Sequence, residues 1–272
     1  MKIVTWNVNG IRARSTEVVQ WVEREQPDVV SLQEIKSPPE QVPATLCALP
    51  GYWSFWHGHK GYSGVALQLR KETFPGRPLF SHPDFDHETR IVTARAGDFE
   101  VASVYVPNGN KDFAAKLRFL EGLEQFTAQR QAATRLVLCG DLNVAREERD
   151  VHPVLRNPEQ VGQTAHEREL LEKIIGHGLV DLSRKFFPDD DRLFTWWAPW
   201  RNMRQRNMGW RLDYVLASEP LAAKATACTS HREFGTSDHA PVQALLEIPA
   251  WQYAGQPEPE QPPPDPGQLK LL

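Results

Sequence analysis

Cysteine is nearly absent. Cys47, Cys139 and Cys228 are an odd three in 272 residues, widely spaced and without a CxxC pair. That excludes a disulfide framework and a cysteine-based zinc site, and it suits a reducing cytosol. A long apolar run is missing at the start: MKIVTWNVNG turns polar after six residues, so neither a signal peptide nor a membrane span is expected there. A strong positive charge is missing too. The formal net charge of −4 gives no global signal for nucleic acid, although net charge says little when charges are unevenly placed. No internal repeat is visible.

What is present is an ordinary globular composition, 40% apolar and 24% charged, in a chain long enough for one layered domain with a substantial core. The stretch that organises the rest is GTSDHAPVQALLEI, residues 235–248, in which Ser237-Asp238-His239 precedes the alternating Val242, Ala244, Leu246 and Ile248. The alternation predicts a half-buried strand with an Asp-His pair at its mouth, and histidine is the side chain suited to sharing a proton near neutral pH.

Taken in order, residues 1–6 and 28–33 read as strands, separated by an amphipathic helix with Ser15 as its N-cap and Pro27 beyond its end. Residues 61–70 read as a turn and a third strand, 90–96 and 100–106 as two more. Phe113, Leu117, Leu120, Leu123 and Phe126 predict a helix over 111–126. A short strand over 135–139 ends in Gly140-Asp141-Leu142-Asn143, a helix covers 167–175, and strands follow at 210–217 and 226–230. Many strands with few helices between them predict an α/β (α+β) four-layered sandwich, two packed mixed β-sheets flanked by helices, over residues 1–248. Seven of the last 24 residues are proline, so 249–272 reads as a Pro-rich flexible tail.

Asn7, Glu34, Tyr105, Asp141, Asn143, Asp213, Asp238 and His239 all fall at strand ends. Each alone has an ordinary explanation as a turn, a surface acid or a core residue. Together, the carboxylates of Glu34, Asp141, Asp213 and Asp238 on one rim would repel each other unless a hard cation lay among them, and oxygen donors without cysteine describe Mg²⁺, or Mn²⁺ in its place. Such a site beside a histidine is equipment for phosphoester hydrolysis. Between Arg192 and Arg211 there are five arginines, Arg192, Arg201, Arg204, Arg206 and Arg211, no acid, and the tryptophans Trp196, Trp197, Trp200 and Trp210. The mixture suits an exposed platform for phosphates and bases, the alternative being a long buried loop. Arg12 and Lys60 flank motif loops as candidate phosphate contacts, whereas His57 and His59 read as solvent-facing in a Gly-rich loop and Asp189-Asp190-Asp191 as a solvated turn.

The motifs WNVNGIR, LQEIK, GYSGVA, YVPNG, GDLNVA, WRLDYVLAS and SDHAPV, spread from residue 1 to about 248, resemble in order and character the exonuclease III family of class II AP endonucleases, within the endonuclease/exonuclease/phosphatase superfamily of deoxyribonuclease I fold. The resemblance implies that Glu34 is the principal metal ligand with Asn7 and Asn9 beside it, and that Asp141, helped by Asn143, orients or deprotonates the attacking water. It implies that Asp213 and His239 form a carboxylate–imidazole pair at the scissile phosphate, that Tyr105 is a phosphate ligand and that Asp238 is a carboxylate near the metal. Asp141, Asn143, Asp238 and His239 thereby join Asn7 and Glu34 in the metal set, and Tyr62 and Asn108 join Arg12, Lys60, Trp196, Trp197, Arg201, Arg204 and Trp210 as DNA-binding candidates. The loop Asn110-Lys111-Asp112 departs from its relatives, and no DNA-inserting side chain is assigned there.

The implied function is a Mg²⁺-dependent DNA repair nuclease of the bacterial cytosol, acting as a monomer on double-stranded DNA. It incises 5′ to abasic sites to leave a 3′-hydroxyl and trims blocked 3′ ends. The rivals are an inositol-phosphate or lipid phosphatase with the same metal core and a non-catalytic DNA-binding relative. The latter should lack some of Glu34, Asp141, Asn143 and His239, all of which are here. The terminal Gln268-Leu269-Lys270-Leu271-Leu272 resembles the bacterial sliding-clamp-binding motif, with Lys270 as a departure, at the end of a spacer of about 40 Å. The alternative is that its leucines fold back on the catalytic domain or do nothing.

Overall fold

In a computed structural model, which describes residues 1–47, 49–130 and 135–248, twelve strands form two six-stranded sheets. The tail and its candidate clamp residues Gln268, Leu269, Leu271 and Leu272 lie outside the described residues. The elements run β1 (Lys2–Asn7), α1 (Ile11–Glu25), β2 (Val29–Gln33), α2 (Ala44–Cys47), β3 (Tyr52–His59), β4 (Tyr62–Arg70), β5 (Leu79–Ser81), β6 (Ile91–Ala96), β7 (Phe99–Tyr105) and α3 (Phe113–Ala128). They continue with β8 (Arg135–Asp141), α4 (Ala165–Gly176), β9 (Leu179–Asp181), α5 (Leu182–Phe186), β10 (Asp213–Ser218), α6 (Glu219–Ala222), β11 (Ala225–Ser230) and β12 (Val242–Leu246).

The sheet orders are β11-β12-β1-β2-β4-β3 and β5-β6-β7-β8-β10-β9. Each sheet holds one parallel pair at its centre, β1 with β2 and β7 with β8, while β12 and β10 lie antiparallel to β1 and β8. One rim therefore collects the C-terminal ends of β1, β2, β7 and β8 and the N-terminal ends of β10 and β12. The registers Tyr105↔Asp141 and Asp213↔Asp141 put three chemically active residues side by side on that rim.

Both faces of the central strands are covered, so β2, β7 and, from Ile3 onward, β1 are buried without a break. Alternate side chains enter different cores: Ile3, Val29, Val101, Val137 and Val215 pack between the sheets. Val4, Trp6 and Val30 meet Val18, Trp21 and Val22 of α1 on the outside of the first sheet. Leu136, Leu138 and Leu216 meet Leu120 and Leu123 of α3 and Leu171 and Ile174 of α4 outside the second. Each such buried aliphatic side chain contributes about 1.5–3 kcal/mol. The expected four-layered sandwich of packed sheets flanked by helices is the observed one.

Local expectations differ in places. Helix α1 begins at Ile11, not after Ser15, because the chain at Gly10 and Ile11 is already anchored by backbone bonds to Glu34 and Ile35 beyond β2, leaving Ser15 inside the helix. Residues 52–59 form the edge strand β3, so His57 and His59 belong to a strand and not to a loop. Trp210 pairs across isolated bridges with Trp196 and Val151, and β10 starts only at Asp213.

Candidate active site

Side chains that face between the sheets become more polar toward the rim. Above the apolar layer, Thr5 Oγ1 donates to Gln33 Oε1 (3.1 Å), and Gln33 Nε2 donates to Ser31 Oγ (2.8 Å) and Ser103 Oγ (3.0 Å), tying the two sheets by a buried network. One step further out come Asn7, Tyr105, Asp141 and Asp213. Gly140, just before Asp141, has φ +145°, and a Cβ there would lie 1.9 Å from the Val104 carbonyl, so β7 and β8 meet closely at this point only with glycine. Past the strand ends, Asn9, Glu34 and Asn143 adopt left-handed backbone with φ of 45°, 49° and 50°. That conformation is unfavourable for non-glycine residues and turns the side chains back over the rim.

The functional groups interlock. Asn7 Nδ2 donates to Glu34 Oε1 (3.0 Å) and Asp141 Oδ2 (2.9 Å). Asn143 gives its N–H to Asp141 Oδ1 (2.9 Å) and its Nδ2 to the Val106 carbonyl (2.9 Å) and Asp141 Oδ2 (3.2 Å). His239 Nδ1 lies 2.9 Å from Asp213 Oδ2, and its Nε2 lies 3.8 Å from Asp141 Oδ2. Thr195 Oγ1 accepts from the N–H of Leu212 and Asp213, which fixes the start of β10. Ser237 Oγ donates to the Asn7 carbonyl (2.7 Å) and Trp6 Nε1 to the His239 carbonyl (3.1 Å), so the histidine loop is pinned to β1.

The electrostatics follow from this crowding. Burial, with the negative charges of Asp213 and Glu34 outweighing His239 and the Asn7 hydrogen bond, pushes the Asp141 carboxyl up to about 7. Burial acts against the His239 imidazolium, yet Asp213 and Asp141 prevail and raise it to about 10. Glu34 is also opposed by burial, but hydrogen bonds from Asn7 and Lys36 hold it below the ordinary carboxylate value. Burial and the nearby Glu34 and Asp141 push the Tyr105 phenol well up, so it stays a proton donor.

Glu34, Asp141 and His239 offer ligand atoms that all lie within 4.8 Å of one another. The donor set fits a divalent cation: Asp213 Oδ1 is buried with no hydrogen-bond partner, and burial together with the charges of Asp213 and Glu34 raises the Asp141 carboxyl, so carboxylates are crowded on the rim. The Glu34 and Asp141 carboxylates are hard oxygen donors, and Asn7 and Asn143 hold them in place through their Nδ2 groups. His239, protonated and bonded to Asp213, is better placed as a donor to an anion than as a ligand. Asp238 stands apart from the three-residue group; its oxygens accept from Asn9 Nδ2 (2.8 Å) and Trp196 Nε1 (3.0 Å), which makes it a brace for the loop carrying His239.

The DNA-binding candidates divide. Arg12, Lys60, Asn108 and Arg201 are exposed, as are Arg192, Arg206 and Trp200. Tyr62 is 57% exposed, its hydroxyl accepting from Arg90, whose guanidinium also lies over the Tyr105 ring at 5.0 Å. The expected platform of four tryptophans is corrected by the structure. Trp197 is 1% and Trp210 6% exposed; both are core residues, and Trp197 Nε1 donates to Asn207. Arg211 is buried between Asp150 and Asp181, and the Arg204 guanidinium donates to carbonyls of Arg232, Phe234, Gly235 and Ser237. These groups hold the loop's shape. Half-buried Trp196 bridges His239 and Trp210, and exposed Trp200 and Arg201 border a cleft of about 440 Å³ shared with Asn9, Arg14 and Asp238.

Three residues that the sequence reading passed over prove central. Lys36 Nζ lies 2.7 Å from Glu34 Oε2 and donates to Asn9 Oδ1 (2.6 Å). Arg90 supports Tyr105 and Tyr62. Lys116, fully buried, pairs with Glu167 at 2.5 Å and donates to the carbonyls of Asn143 (2.7 Å) and Asn108 (3.2 Å). Its signal was available: Lys116 falls on the apolar stripe of α3, where a charge demands a partner.

Known proteins resemble this chain in sequence and fold. The chain is 35% identical over 267 residues to the DNA repair nuclease APEX1 of Danio rerio, a match that covers 91% of this chain and 83% of that one. It is 31% identical over 253 residues to the exodeoxyribonuclease of Bacillus subtilis, covering 91% and 100%. It spans 37% of the longer Recombination repair protein 1 of Drosophila melanogaster, at 32% identity. An AP endonuclease from Archaeoglobus fulgidus superposes with a TM-score of 0.83 at 30% identity, over 91% of this chain and all of that one. Residues 4–239, which span every rim residue from Asn7 to His239, match the Endonuclease/Exonuclease/phosphatase family, and the chain belongs to it.

Proposed function

We propose that this protein is a DNA repair nuclease that hydrolyses the phosphodiester 5′ to an abasic site in duplex DNA, leaving a 3′-hydroxyl, and that also removes nucleotides and blocking groups from 3′ ends. The observation that carries the reading is the joint placement of Asp141 beside the Asp213–His239 pair and Glu34 on one rim. Asp141, whose carboxyl burial and the charges of Asp213 and Glu34 raise to about 7 in the metal-free protein, is placed to accept a proton from the attacking water. The Asn143 N–H and side-chain amide fix both carboxylate oxygens for that task. His239, raised to about 10 and aligned by Asp213, donates a hydrogen bond to a phosphoryl oxygen, and Tyr105 presents its phenol on the same rim. The water oxygen bonds to phosphorus as the bond to the 3′ oxygen breaks, and that oxygen takes a proton from solvent to become the 3′-hydroxyl. One such aligned donor is worth about 3–4 kcal/mol of barrier. Mg²⁺, or Mn²⁺ in its place, would be held chiefly by Glu34 with Asn7 and Asn143 nearby, and would supply positive charge against the charge building on the phosphate while Asp141 stays free to take the proton.

Exposed Arg12, Lys60, Tyr62, Asn108 and Arg201, with the edge of Trp196, supply the DNA contacts in this reading. Residues 1–248 act as the catalytic domain of a monomeric bacterial cytosolic enzyme, and Gln268, Leu269, Leu271 and Leu272 of the tail dock on a sliding clamp. A peptide covering 255–272 then binds the clamp by calorimetry and loses binding with Leu271→Ala and Leu272→Ala. The nuclease itself is tested with a duplex bearing one abasic analogue, incubated with Mg²⁺ or EDTA beside undamaged and 3′-blocked duplexes. Cleavage 5′ to the lesion with Mg²⁺ alone is expected. Cleavage that survives EDTA, or a folded protein inert on all three duplexes, overturns the proposal.

A further inference from the structure

The outer edges of the two sheets meet at β3 and β5, far along each sheet from Asp141. Two stacked rungs join them: Phe55 on Phe80, with ring centroids 5.3 Å apart, and His57 on His82, at 4.6 Å. Both β3 and β2 run antiparallel to β4, so His57, near the end of β3, lies toward the rim that carries the active site. Asp86 closes the second rung. Its Oδ2 is 2.8 Å from His57 Nε2, and its side chain is fully buried. Oδ1 accepts the N–H of Arg90 (2.8 Å) and Glu88 (3.3 Å), and Oδ2 accepts that of Ile91 (3.3 Å). Burial pushes this carboxyl up, but the bonds from His57, Arg90 and Ile91 prevail and hold it below its ordinary value, so a charged carboxylate is kept inside. Among the described residues its one ion-pair partner is His57.

We propose that His57, His82 and Asp86 form a second metal site, of the zinc type, which staples β3 to the segment between β5 and β6. The three residues offer ligand atoms that all lie within 4.8 Å of one another. Two imidazoles and one carboxylate suit Zn²⁺ and its neighbours Co²⁺, Ni²⁺ and Cu²⁺, whereas Mg²⁺ prefers oxygen donors alone. Ligands at about 2.0–2.2 Å from a tetrahedral ion stand roughly 3.3–3.5 Å apart. The 2.8 Å pair of His57 and Asp86 therefore needs to open by only about half an ångström, with the imidazole nitrogen giving up its hydrogen bond to the carboxylate. His82 is exposed, so its ring can turn from the stack to bring the third ligand, and solvent supplies the fourth. The backbone bonds from Arg90 and Ile91 hold the carboxylate in place as the second-sphere partners that metal sites need. The segment so clamped leads to Arg90, which supports Tyr62 and Tyr105, but the site shares no ligand with the catalytic group.

The test titrates the full-length protein, saturated with Mg²⁺, with ZnCl₂ by calorimetry, and repeats it with CoCl₂ followed by visible absorption. Wild type and Glu34→Gln are expected to bind one equivalent of Zn²⁺ with Mg²⁺ present, and Co²⁺ to give the absorption of a four-coordinate ion. His82→Ala, on an exposed side chain that leaves the Asp86 turn intact, is expected to weaken that binding at least tenfold while cleaving DNA with Mg²⁺ alone as the wild type does. His82→Cys, which restores a ligand, is expected to recover it. Absence of Zn²⁺ binding to the wild type at high micromolar concentration refutes the site. So does Zn²⁺ binding that His82→Ala leaves unchanged, or that Glu34→Gln abolishes.

Discussion

Replacing Lys116 by Met isolates a device on which the catalytic loops depend. The ammonium and the Glu167 carboxylate are both fully buried, and burial already pulls the lysine below its ordinary pKa despite Glu167. Removing one partner of a buried ion pair costs about 3–5 kcal/mol, because the other charge stays buried. Here Glu167 keeps the N–H of Gly162 as well as the hydroxyl and the N–H of Thr164, its capping-box partner, so the low end, about 3 kcal/mol, applies. For a domain of this size that is roughly a 6–12 °C fall in Tm. The second consequence is catalytic. Lys116 also holds the carbonyls of Asn143 and Asn108, and Asn143 positions both oxygens of Asp141. A displacement of about 1 Å there costs up to roughly a hundredfold, which should appear in kcat with KM little changed. Calorimetry and steady-state cleavage of an abasic duplex measure the two effects, and the double variant Lys116→Met/Glu167→Gln, with no stranded charge, should recover most of the stability and little of the kcat. A Lys116→Met protein that melts within about 1 °C of wild type and turns over normally would refute both the energetic and the positioning argument.

Other expectations are more direct. Asp141→Asn and His239→Ala should each lower kcat by about a hundredfold or more, with DNA affinity by electrophoretic shift largely kept; near-normal turnover at saturating Mg²⁺ would remove either residue from the chemistry. In metal-free protein, NMR should show the His239 imidazolium surviving to about pH 10, and Asp213→Asn should bring its titration down toward the ordinary histidine range. Asp141 and His239 are both raised on folding, so what they add to stability is complete below their unfolded values. It drains away as pH rises through about 7 and then about 10, and urea midpoints of the metal-free protein should fall in that direction. Replacing exposed Arg201 and Arg206 by Ala should flatten the salt dependence of DNA affinity by about 2 in the log–log slope. Arg204→Ala should instead lower Tm, and an unchanged Tm would return Arg204 to the DNA-contact set.

The layered fold and its rim were legible because both rest on short-range pattern. Apolar runs such as 136–139 announce strands buried on both faces, and a carboxylate or amide close after each run announces a functional strand end. Strand β3 was missed because His57, Gly58 and His59 hide its apolar members, and β5 and β9 because three residues carry no period. The tryptophans were misjudged for a different reason. Composition cannot tell an arginine that meets phosphate from one that braces a loop, and the difference lies in partners such as Asp150 and Asp181, 61 and 30 residues away from Arg211 in sequence. Lys36 and Lys116 escaped notice because each is defined by what it reaches across the fold.

The rim also explains how so much negative charge can be concentrated without unfolding the sheets. Residues of one parity face between them, and along each strand that parity runs from apolar to polar: Ile3, Thr5, Asn7 on β1; Val29, Ser31, Gln33 on β2; Val101, Ser103, Tyr105 on β7; Val137, Cys139, Asp141 on β8. The apolar members lie in the inter-sheet core, and the amide and hydroxyl layer of Thr5, Ser31, Gln33 and Ser103 satisfies itself internally. That layer is neutral, so it adds no counter-charge to the carboxylates above it. Compensation among the described residues comes from the rim itself, from Lys36 beside Glu34 and His239 beside Asp213. A basic residue in the inter-sheet layer would neutralise Asp141 from below and lower its pKa away from the range in which it can take a proton from water. Among the described residues the neutral layer of Thr5, Ser31, Gln33 and Ser103 thus leaves the raised Asp141 carboxyl unopposed from below.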